Sequence, residues 1–267
     1  DSCAPLVEQL ASADRLIAGA ASQAPRTLVV GAPGLLCRLV LVPALRRFRE
    51  RHGPVHVELR AIDHLTVTDA HTRGLDVLVA LGWPGNVSLV QKPLAQSRLI
   101  VCASPAYWAR QGLPTRPADL AAHDCLLVRA PEGTVLDLWR HTRGAVTEEV
   151  AVRGWLVSES RDYVLEAVLD GQGVGRFADV SVWPHVRSGR LQPVLTDWDS
   201  SDSPPFSALY RPEARRDPTV QAFVAFLADT LGGLEAECCR GIGARPSASR
   251  PGWYAKRQGR ASAAKSA

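Results

Sequence analysis

The sequence from residue 27 to residue 52 reads Thr27-Leu-Val-Val-Gly-Ala-Pro-Gly-Leu-Leu-Cys-Arg-Leu-Val-Leu-Val-Pro-Ala-Leu-Arg-Arg-Phe-Arg-Glu-Arg-His52. It predicts an apolar strand that runs through a Gly/Pro turn into an amphipathic helix. The first N–H groups of a helix have no partner within it, so a helix start that follows a strand attracts anions and carboxylates. An ordinary strand-helix unit without a ligand is the alternative interpretation. The residues that share the apolar helix face are Leu36, Leu39, Val40, Pro43, Ala44 and Phe48.

Composition indicates a globular protein. The 267 residues are 46% hydrophobic and 22% charged, which suits one large domain or two lobes. No apolar run is long enough to cross a bilayer, and the N-terminus lacks the pattern of a secretory signal, so we predict a cytoplasmic chain without membrane contact. The six cysteines are scattered, without the spacing of metal ligands or of a disulfide framework. We therefore expect neither a metal nor another cofactor.

Charge is distributed unevenly along the chain. Residues 238–267 carry seven Lys or Arg and no acid, which leaves the first 237 residues at a net charge of about −3. The body is therefore not a basic DNA-binding surface. Residues 236–267 are predicted to form a disordered basic tail. The chain contains no methionine, even at position 1, and we expect it to be an internal fragment.

Strand and helix patterns alternate along the chain, which favours an α/β architecture. We predict strands at 27–30, 55–60, 73–81, 98–103, 125–128, 151–157 and 205–210. Further helices are predicted from 106, at 163–169 and at 219–231. Near the N-terminus, apolar residues at steps of four and three indicate a helix that is either a connector to another helix or part of its own domain. These residues are Leu6, Leu10, Ala13, Ile17 and Ala20.

Enzyme motifs are missing from the sequence. It has no Gly-x-Ser-x-Gly elbow, no His-Glu-x-x-His and no Walker A motif. The segment Gly171-Gln-Gly-Val-Gly175 follows a predicted helix rather than a strand, so we interpret it as a helix stop that leads into a strand and not as a dinucleotide loop. We therefore predict a protein that is not an enzyme.

Seven short segments together resemble the effector-binding (substrate-binding) domain of LysR-type transcriptional regulators. The resemblance covers roughly residues 25–232 and depends on the order and spacing of the segments. They are Leu41-Val-Pro-Ala-Leu-Arg-Arg-Phe48, Arg73-Gly-Leu-Asp-Val77, Ala103-Ser-Pro-Ala-Tyr-Trp108, Pro117-Ala-Asp-Leu-Ala-Ala-His-Asp-Cys125, Gly171-Gln-Gly-Val-Gly175, Gly189-Arg-Leu-Gln-Pro-Val194 and Val220-Gln-Ala-Phe-Val-Ala-Phe-Leu227.

The resemblance implies an α/β fold of two Rossmann-like lobes joined by two crossover strands, as in type 2 periplasmic binding proteins. The effector-binding domain would span 25–235. Its first lobe would take 26–97 and 204–232, and its second lobe 98–203, with crossovers near 94–100 and 205–210. Residues 1–24 would be the end of a linker and dimerisation helix.

The same resemblance implies a function. The chain would sense a small anionic or aromatic metabolite and control transcription through rearrangement of a homodimer or homotetramer. DNA would be bound only by a winged helix-turn-helix that is not in this sequence. The alternative is a solute-binding protein of a transporter with the same fold.

The effector would lie where four turns converge between the lobes, because ligands of open α/β sheets bind beyond the carboxyl ends of strands. Pro33 and Gly34 stand where many relatives have hydroxyl or small polar residues, so the site would rely on backbone N–H groups of this turn rather than on a side chain. His64 and Thr66 could donate to a carboxylate, or Asp63 or His64 could simply cap a helix. Ser104 is predicted to cap a helix that has Pro105 at its first position. The candidates in these turns are Ala32, Pro33, Gly34, Leu35, His64, Thr66, Ala103, Ser104, Ser158 and Ser160.

Arg176 is the last candidate. The family usually continues with apolar residues and a proline after the glycine-rich segment, where this chain has Arg176-Phe-Ala-Asp179. A charge at this place needs a partner. Arg176 either binds an anionic effector or forms an ion pair with Asp179 or Glu159.

Overall fold

A computed structural model describes residues 26–62, 74–81, 88–130, 133–200 and 205–243. The N-terminal helix pattern, the turn with His64 and Thr66, and the chain beyond 243 lie outside these residues. Among the described helices, none is both long and apolar enough to span a bilayer.

The first lobe is built on a five-stranded sheet in the order β2-β1-β3-β12-β4. Its strands are β1 (Thr27–Ala32), β2 (His56–Ala61), β3 (Val77–Leu81), β4 (Val90–Ala95) and β12 (Phe206–Tyr210). β1 runs parallel to β2 and β3, whereas β12 is antiparallel to β3 and β4. The C-terminal strand thus returns to the first lobe, as expected for a crossover.

The second lobe contains the remaining strands and most of the short helices. A three-stranded sheet has the order β10-β5-β11, β6 pairs with β9, and β7 and β8 form a hairpin. Every described strand between 99 and 194 belongs to these sheets. The elements are β5 (Leu99–Ala103), α3 (Pro105–Gln111), β6 (Leu127–Val128), β7 (Leu138–Arg143), β8 (Val146–Ala151), β9 (Val157–Ser158), α4 (Arg161–Leu169), β10 (Gly175–Ala178), α5 (Asp179–Arg187) and β11 (Gln192–Val194), with 3₁₀ turns at Pro117–Ala122 and, in the first lobe, at Pro212–Arg216.

The helix after β1 is not uniform. It consists of α1 (Gly34–Leu36), a π-helical segment (Cys37–Leu41) and α2 (Val42–His52). Proline has no N–H to donate to the carbonyl four residues back, so Pro43 interrupts the regular ladder. The Val42 N–H instead donates to the Cys37 carbonyl, five residues back, which is the π-helical pattern.

The β7–β8 hairpin corrects the prediction of one strand at 151–157. β8 ends at Ala151, and only Val157–Ser158 returns to strand structure. The hairpin turns at Gly144, whose φ of 59° lies in the left-handed region. Its strands are rich in polar residues, and only Trp139 and His141 of β7 are buried, so no apolar run marked it in the sequence.

The last helix, α6 (Pro218–Ile242), continues eleven residues beyond the predicted end at 231 and into the segment expected to be a disordered tail. Cys238 and Ile242 are buried, and this burial outweighs the low helix propensity of Gly232 and Gly233. The extension reaches the second lobe, where the Trp183 Nε1–H donates to Glu237 Oε2 at 2.7 Å. It also contacts the first crossover, since the Gln96 N–H donates to Glu235 Oε2 at 2.9 Å. α6 therefore bridges both lobes.

Most of the described cysteines lie in the interior. Cys37, Cys102, Cys125 and Cys238 are buried. Burial raises the pKa of Cys102 and of Cys125 to about 12, so both thiols stay protonated near neutral pH.

We expect Gly241→Ala to weaken the bridge between the lobes. A Cβ on Gly241 would overlap the buried ring of Trp183, so α6 or α5 must shift. The free energy of unfolding should fall by about 1–3 kcal/mol, as for overpacking of a core. Urea unfolding followed by circular dichroism measures this change.

Gly233→Ala is the matched control on the same helix. A Cβ there meets no atom within 4 Å, so the variant should gain about 0.5–1 kcal/mol through helix propensity. Destabilisation of both variants to the same extent would show that Trp183 is not the reason.

Candidate functional site

The turn after β1 begins the candidate site. Pro33 precedes the helix with an extended ψ of 138°, and no side chain caps the helix start. Gly34, Leu35 and Leu36 are buried there. This turn can therefore offer a ligand backbone groups and apolar surface, but no polar side chain.

The second lobe covers this turn. The segment from Gly34 to Leu41 contacts both α4 and α5. Arg38 forms an ion pair across the lobes, with its Nε 2.8 Å from Asp162 Oδ1 and its Nη1 3.2 Å from Glu166 Oε1. The two lobes thus meet where the sequence predicts the cleft.

Ser158 and Ser160, two of the predicted site residues, lie before and at the start of α4, near the end of this helix that Arg38 contacts. The Ser160 N–H donates to Ser158 Oγ at 3.1 Å, and the Ser158 carbonyl accepts from Arg129. Ser160 occupies the N-cap position of α4, but its side chain makes no capping hydrogen bond. Because Asp162 belongs to the same turn, the structure brings Ser158 and Ser160 towards the turn at 32–36.

Ala103 and Ser104 lie elsewhere. Ser104 caps α3, as predicted, and accepts from the Tyr107 N–H at 3.3 Å. Its Oγ lies beside Gly171, which follows the C-terminal end of α4. The nine residues of α4 span about 13 Å, so Ser104 is at the far end of this helix from the Arg38 contact. The structure does not bring Ser104 to the other turns.

Arg176 lies on β10, opposite Val101 of β5. Its guanidinium carbon is 5.6 Å from the centroid of the Trp139 ring. It also acts on His141, which is 2% exposed: burial and then the positive charge of Arg176 lower the pKa of His141 to about 4. Whether Arg176 binds an effector or pairs with Asp179 or Glu159 stays a prediction.

The sequence did not reveal the role of Asp179, which is fully buried at the start of α5. Its carboxylate accepts from Ser97 Oγ at 3.1 Å and from the Arg98 N–H at 3.2 Å, both in the first crossover. The Asp179 N–H donates to the Arg98 carbonyl at 2.9 Å. The available signal in the sequence was an acid directly after β10, but it indicated only a partner for Arg176.

Two open cavities with described linings lie away from these turns. One, of about 950 Å³, lies between α2 and β2, and the other, of about 390 Å³, lies between the 3₁₀ turn at 117–122 and Gly154. Neither is lined by a predicted site residue.

Comparison with known proteins identifies the family to which this fold belongs. The family model for the LysR substrate binding domain matches residues 21–232. The chain belongs to the LysR substrate-binding domain family. The fold of two lobes and the sequence resemblance to this family are thereby confirmed.

Individual relatives agree with the family. An uncharacterized HTH-type transcriptional regulator, YcaN of Escherichia coli K12, is 31% identical over 202 residues, which cover 75% of this chain and 65% of YcaN. The HTH-type transcriptional regulator CrgA of Neisseria meningitidis serogroup C is 26% identical, over 72% of this chain and 63% of CrgA. The chain therefore spans about two thirds of the curated relatives that it matches.

Solved structures of the family share the fold. The full-length Vibrio cholerae virulence activator AphB has a TM-score of 0.66 and 26% identity, and covers 85% of this chain and 76% of AphB. The CrgA regulatory domain has a TM-score of 0.68 and 25% identity, over 77% of this chain and 98% of that domain.

His141 should make the stability of this LysR domain depend on pH. Its folded-state pKa of about 4 lies below the ordinary value of 6.5, so the unfolded chain takes up the proton first as the pH falls. The free energy of unfolding should fall by up to about 3 kcal/mol between pH 6.5 and pH 4, with no further loss from this group at lower pH. Urea unfolding of the wild type and of His141→Phe measures this contribution.

The difference between the two proteins isolates His141, because His123 and His185, whose pKa values are also lowered by burial, are present in both. The difference in unfolding free energy between the two proteins should be constant between pH 7 and pH 8. It should change only as the pH falls through the ordinary histidine pKa of 6.5 towards the lowered value of about 4. Parallel pH profiles down to pH 4 would contradict the buried, neutral state of His141.

Proposed function

We propose that this chain is the effector-sensing part of a LysR-type transcriptional regulator. The observation that supports this most is the 31% identity to YcaN over 202 residues, because the relatives named above are regulators and not enzymes or solute-binding proteins. DNA would be bound by a winged helix-turn-helix outside this sequence. The regulator would act as a homodimer or homotetramer.

The proposed effector site lies between the turn at Ala32–Leu35 and the start of α4. The first turn supplies backbone and apolar surface, and Ser158 and Ser160 supply hydroxyl groups. His64 and Thr66 lie outside the described residues and stay candidates from the sequence. Together these groups suit a small anionic or aromatic metabolite, since a pocket with apolar walls and few polar groups is typical of small-molecule sites.

The proposed mechanism is a shift between two arrangements of the lobes. A ligand held by both lobes stabilises the arrangement in which it makes more contacts, and this shift is transmitted to the oligomer. A screen of small carboxylates and aromatic acids by thermal shift tests binding, because a ligand at a hundredfold its Kd adds about 2.7 kcal/mol of stability.

Analytical ultracentrifugation with the best ligand separates the two candidate functions. A regulator should be a dimer or tetramer, and the ligand should change its oligomeric state or its sedimentation coefficient. A ligand that stabilises a monomer with no such change would favour a solute-binding protein and overturn the proposal.

Ser160→Ala should weaken effector binding with little effect on stability. The Ser160 side chain makes no capping bond, so its loss should cost less than about 0.5 kcal/mol of unfolding free energy. Its hydrogen bond to a charged ligand group would be worth about 1.5–3 kcal/mol, which corresponds to a Kd increase of about 10–150-fold. Isothermal titration calorimetry with the best ligand measures the change.

Ser104→Ala is the matched control. It removes the capping bond to Tyr107 and should cost about 1 kcal/mol of stability, while the Kd stays unchanged because Ser104 lies at the far end of α4. The opposite pattern, with affinity lost in Ser104→Ala and kept in Ser160→Ala, would move the site to α3.

A further inference from the structure

The last helix, α6, has two parts with different partners. Its proximal part (residues 218–231) packs on the first lobe, where the rings of Phe223 and Phe226 each have their centroid 5.1 Å from that of Phe48 in α2. Near the end of this part, Thr230 Oγ1 accepts a hydrogen bond at 3.4 Å from an arginine of the same helix α2. The proximal part is therefore fixed to the first lobe.

The distal part of α6 (residues 234–242) binds the second lobe and the crossover that leads to it. Glu237 accepts a hydrogen bond from the Trp183 Nε1–H at 2.7 Å and lies 3.4 Å from Arg187 Nη1, and both partners belong to α5. The carbonyl that follows the helix accepts from Arg98 Nη2 at 3.4 Å, directly before β5. A movement of the second lobe would therefore act on the distal part, whereas the proximal part would stay with the first lobe.

Gly232 and Gly233 lie where the partners of α6 change from one lobe to the other. A Cβ on either residue would meet no atom of the described residues within 4 Å, so close packing does not require glycine at these positions. Glycine is the weakest helix former after proline, and sharp bends of helices are found at pairs of small residues such as these. The helix is therefore weakest at the position where it passes between the lobes.

We propose that Gly232 and Gly233 form a joint at which α6 bends when the two lobes move relative to each other. The proximal part then stays on the first lobe, and the distal part moves with α5. The helix beyond residue 232, where the family match ends, limits this movement, because a rotation that the joint cannot follow must break the contact of Glu237 with Trp183. The proposal rests on the lobe movement that the proposed function requires, but it needs no effector.

Amide hydrogen exchange of the whole chain, resolved by residue with NMR, tests the joint. Each N–H of an α-helix donates to the carbonyl four residues back, so the hydrogen bonds that enclose the glycine pair are those of residues 233–236. The protection factors of these amides should be at least about tenfold lower than those of residues 238–242, because the distal part stays packed on α5 when the joint opens. A helix that frays from its end would instead lose protection steadily towards residue 242, and this result would overturn the proposal.

The double variant Gly232→Ala/Gly233→Ala should stiffen the joint and still fold, because both positions have space for a Cβ. Exchange of the amides at 233–236 should become about 15–30-fold slower, the effect of replacing two glycines in a helix interior. Exchange at 238–242 should stay as in the wild type. An equal decrease at 238–242 would show that the distal part opens together with the glycine pair, and no separate joint would exist.

The charge reversal Arg38→Glu tests whether the joint opens when the lobes move. Arg38 pairs with Asp162 and Glu166 across the cleft, so the variant replaces an attraction between the lobes by repulsion. If the joint opens together with this movement, the amides at 233–236 should exchange about 5–30-fold faster, as expected when an exposed ion pair is lost and a like-charge contact is added.

Arg46→Glu is the matched control, since Arg46 pairs with Glu50 on the same helix and not across the lobes. It should leave exchange at 233–236 unchanged, and equal exchange in the two charge-reversed variants would overturn the coupling of the joint to the lobes. The proposed effector cleft can fail separately. If no compound of the thermal-shift screen binds while the amides at 233–236 respond as expected, the cleft fails and the joint stands, and the opposite pair of results removes only the joint.

Discussion

The junction between the first crossover and the second lobe depends on the buried carboxylate of Asp179. This carboxylate accepts hydrogen bonds from Ser97 and Arg98 in the first crossover, and the Asp179 N–H donates to the Arg98 carbonyl. These bonds hold the start of α5 against the residues that precede β5. Burial of a carboxylate costs several kcal/mol unless hydrogen bonds and an opposite charge compensate it. Arg98 supplies that charge, with its Nε 3.9 Å from Asp179 Oδ2. Loss of the carboxylate would therefore leave a buried guanidinium, which makes this junction intolerant of change.

The long C-terminal helix extends the same junction. Arg98 also reaches the end of α6, where its Nη2 lies 3.4 Å from the Gly243 carbonyl. Glu235 and Glu237 of α6 bind the crossover at Gln96 and the second lobe at Trp183. The segment after residue 232, beyond the match to the family model, thus packs on both lobes at the place where the chain passes between them.

Much of the fold could be predicted from short-range patterns, and the exceptions have physical reasons. The opening strand, the Ser104 cap and the helix stop at Gly171 depend on local propensity, which the sequence shows directly. The extension of α6 depends on burial of Cys238 and Ile242 and on contacts with α5, such as that of Arg187 with Glu237 fifty positions away, whereas Gly232 and Gly233 have low helix propensity. The β7–β8 hairpin has few apolar residues because one of its faces is solvent-exposed.

From the sequence we could predict which turns are candidates to line the site, but not which of them lie together in the fold. The structure joins the turn at Pro33 to the start of α4 but places Ser104 at the other end of that helix, because strand β5 leads away from the crossover. No local sequence pattern shows in which direction β5 runs after the crossover. Arg38 was missed for a related reason, since its partner Asp162 lies 124 positions away and neither residue stands out in its own segment.

The contrast between the crossover junction and the contact at the cleft bears on how such a domain could respond to a ligand. At the junction, Asp179 is fully buried and strongly held. At the cleft, the Arg38 side chain is 43% exposed, and an ion pair of this kind contributes at most about 1 kcal/mol. Under the proposed function the lobes would move about this junction, and breaking the Arg38 ion pair would add little to the energetic cost of that movement. Under the proposed function, an effector therefore needs only a modest difference in affinity between the two arrangements to change their populations, because it competes with the weak contact and not with the strong one.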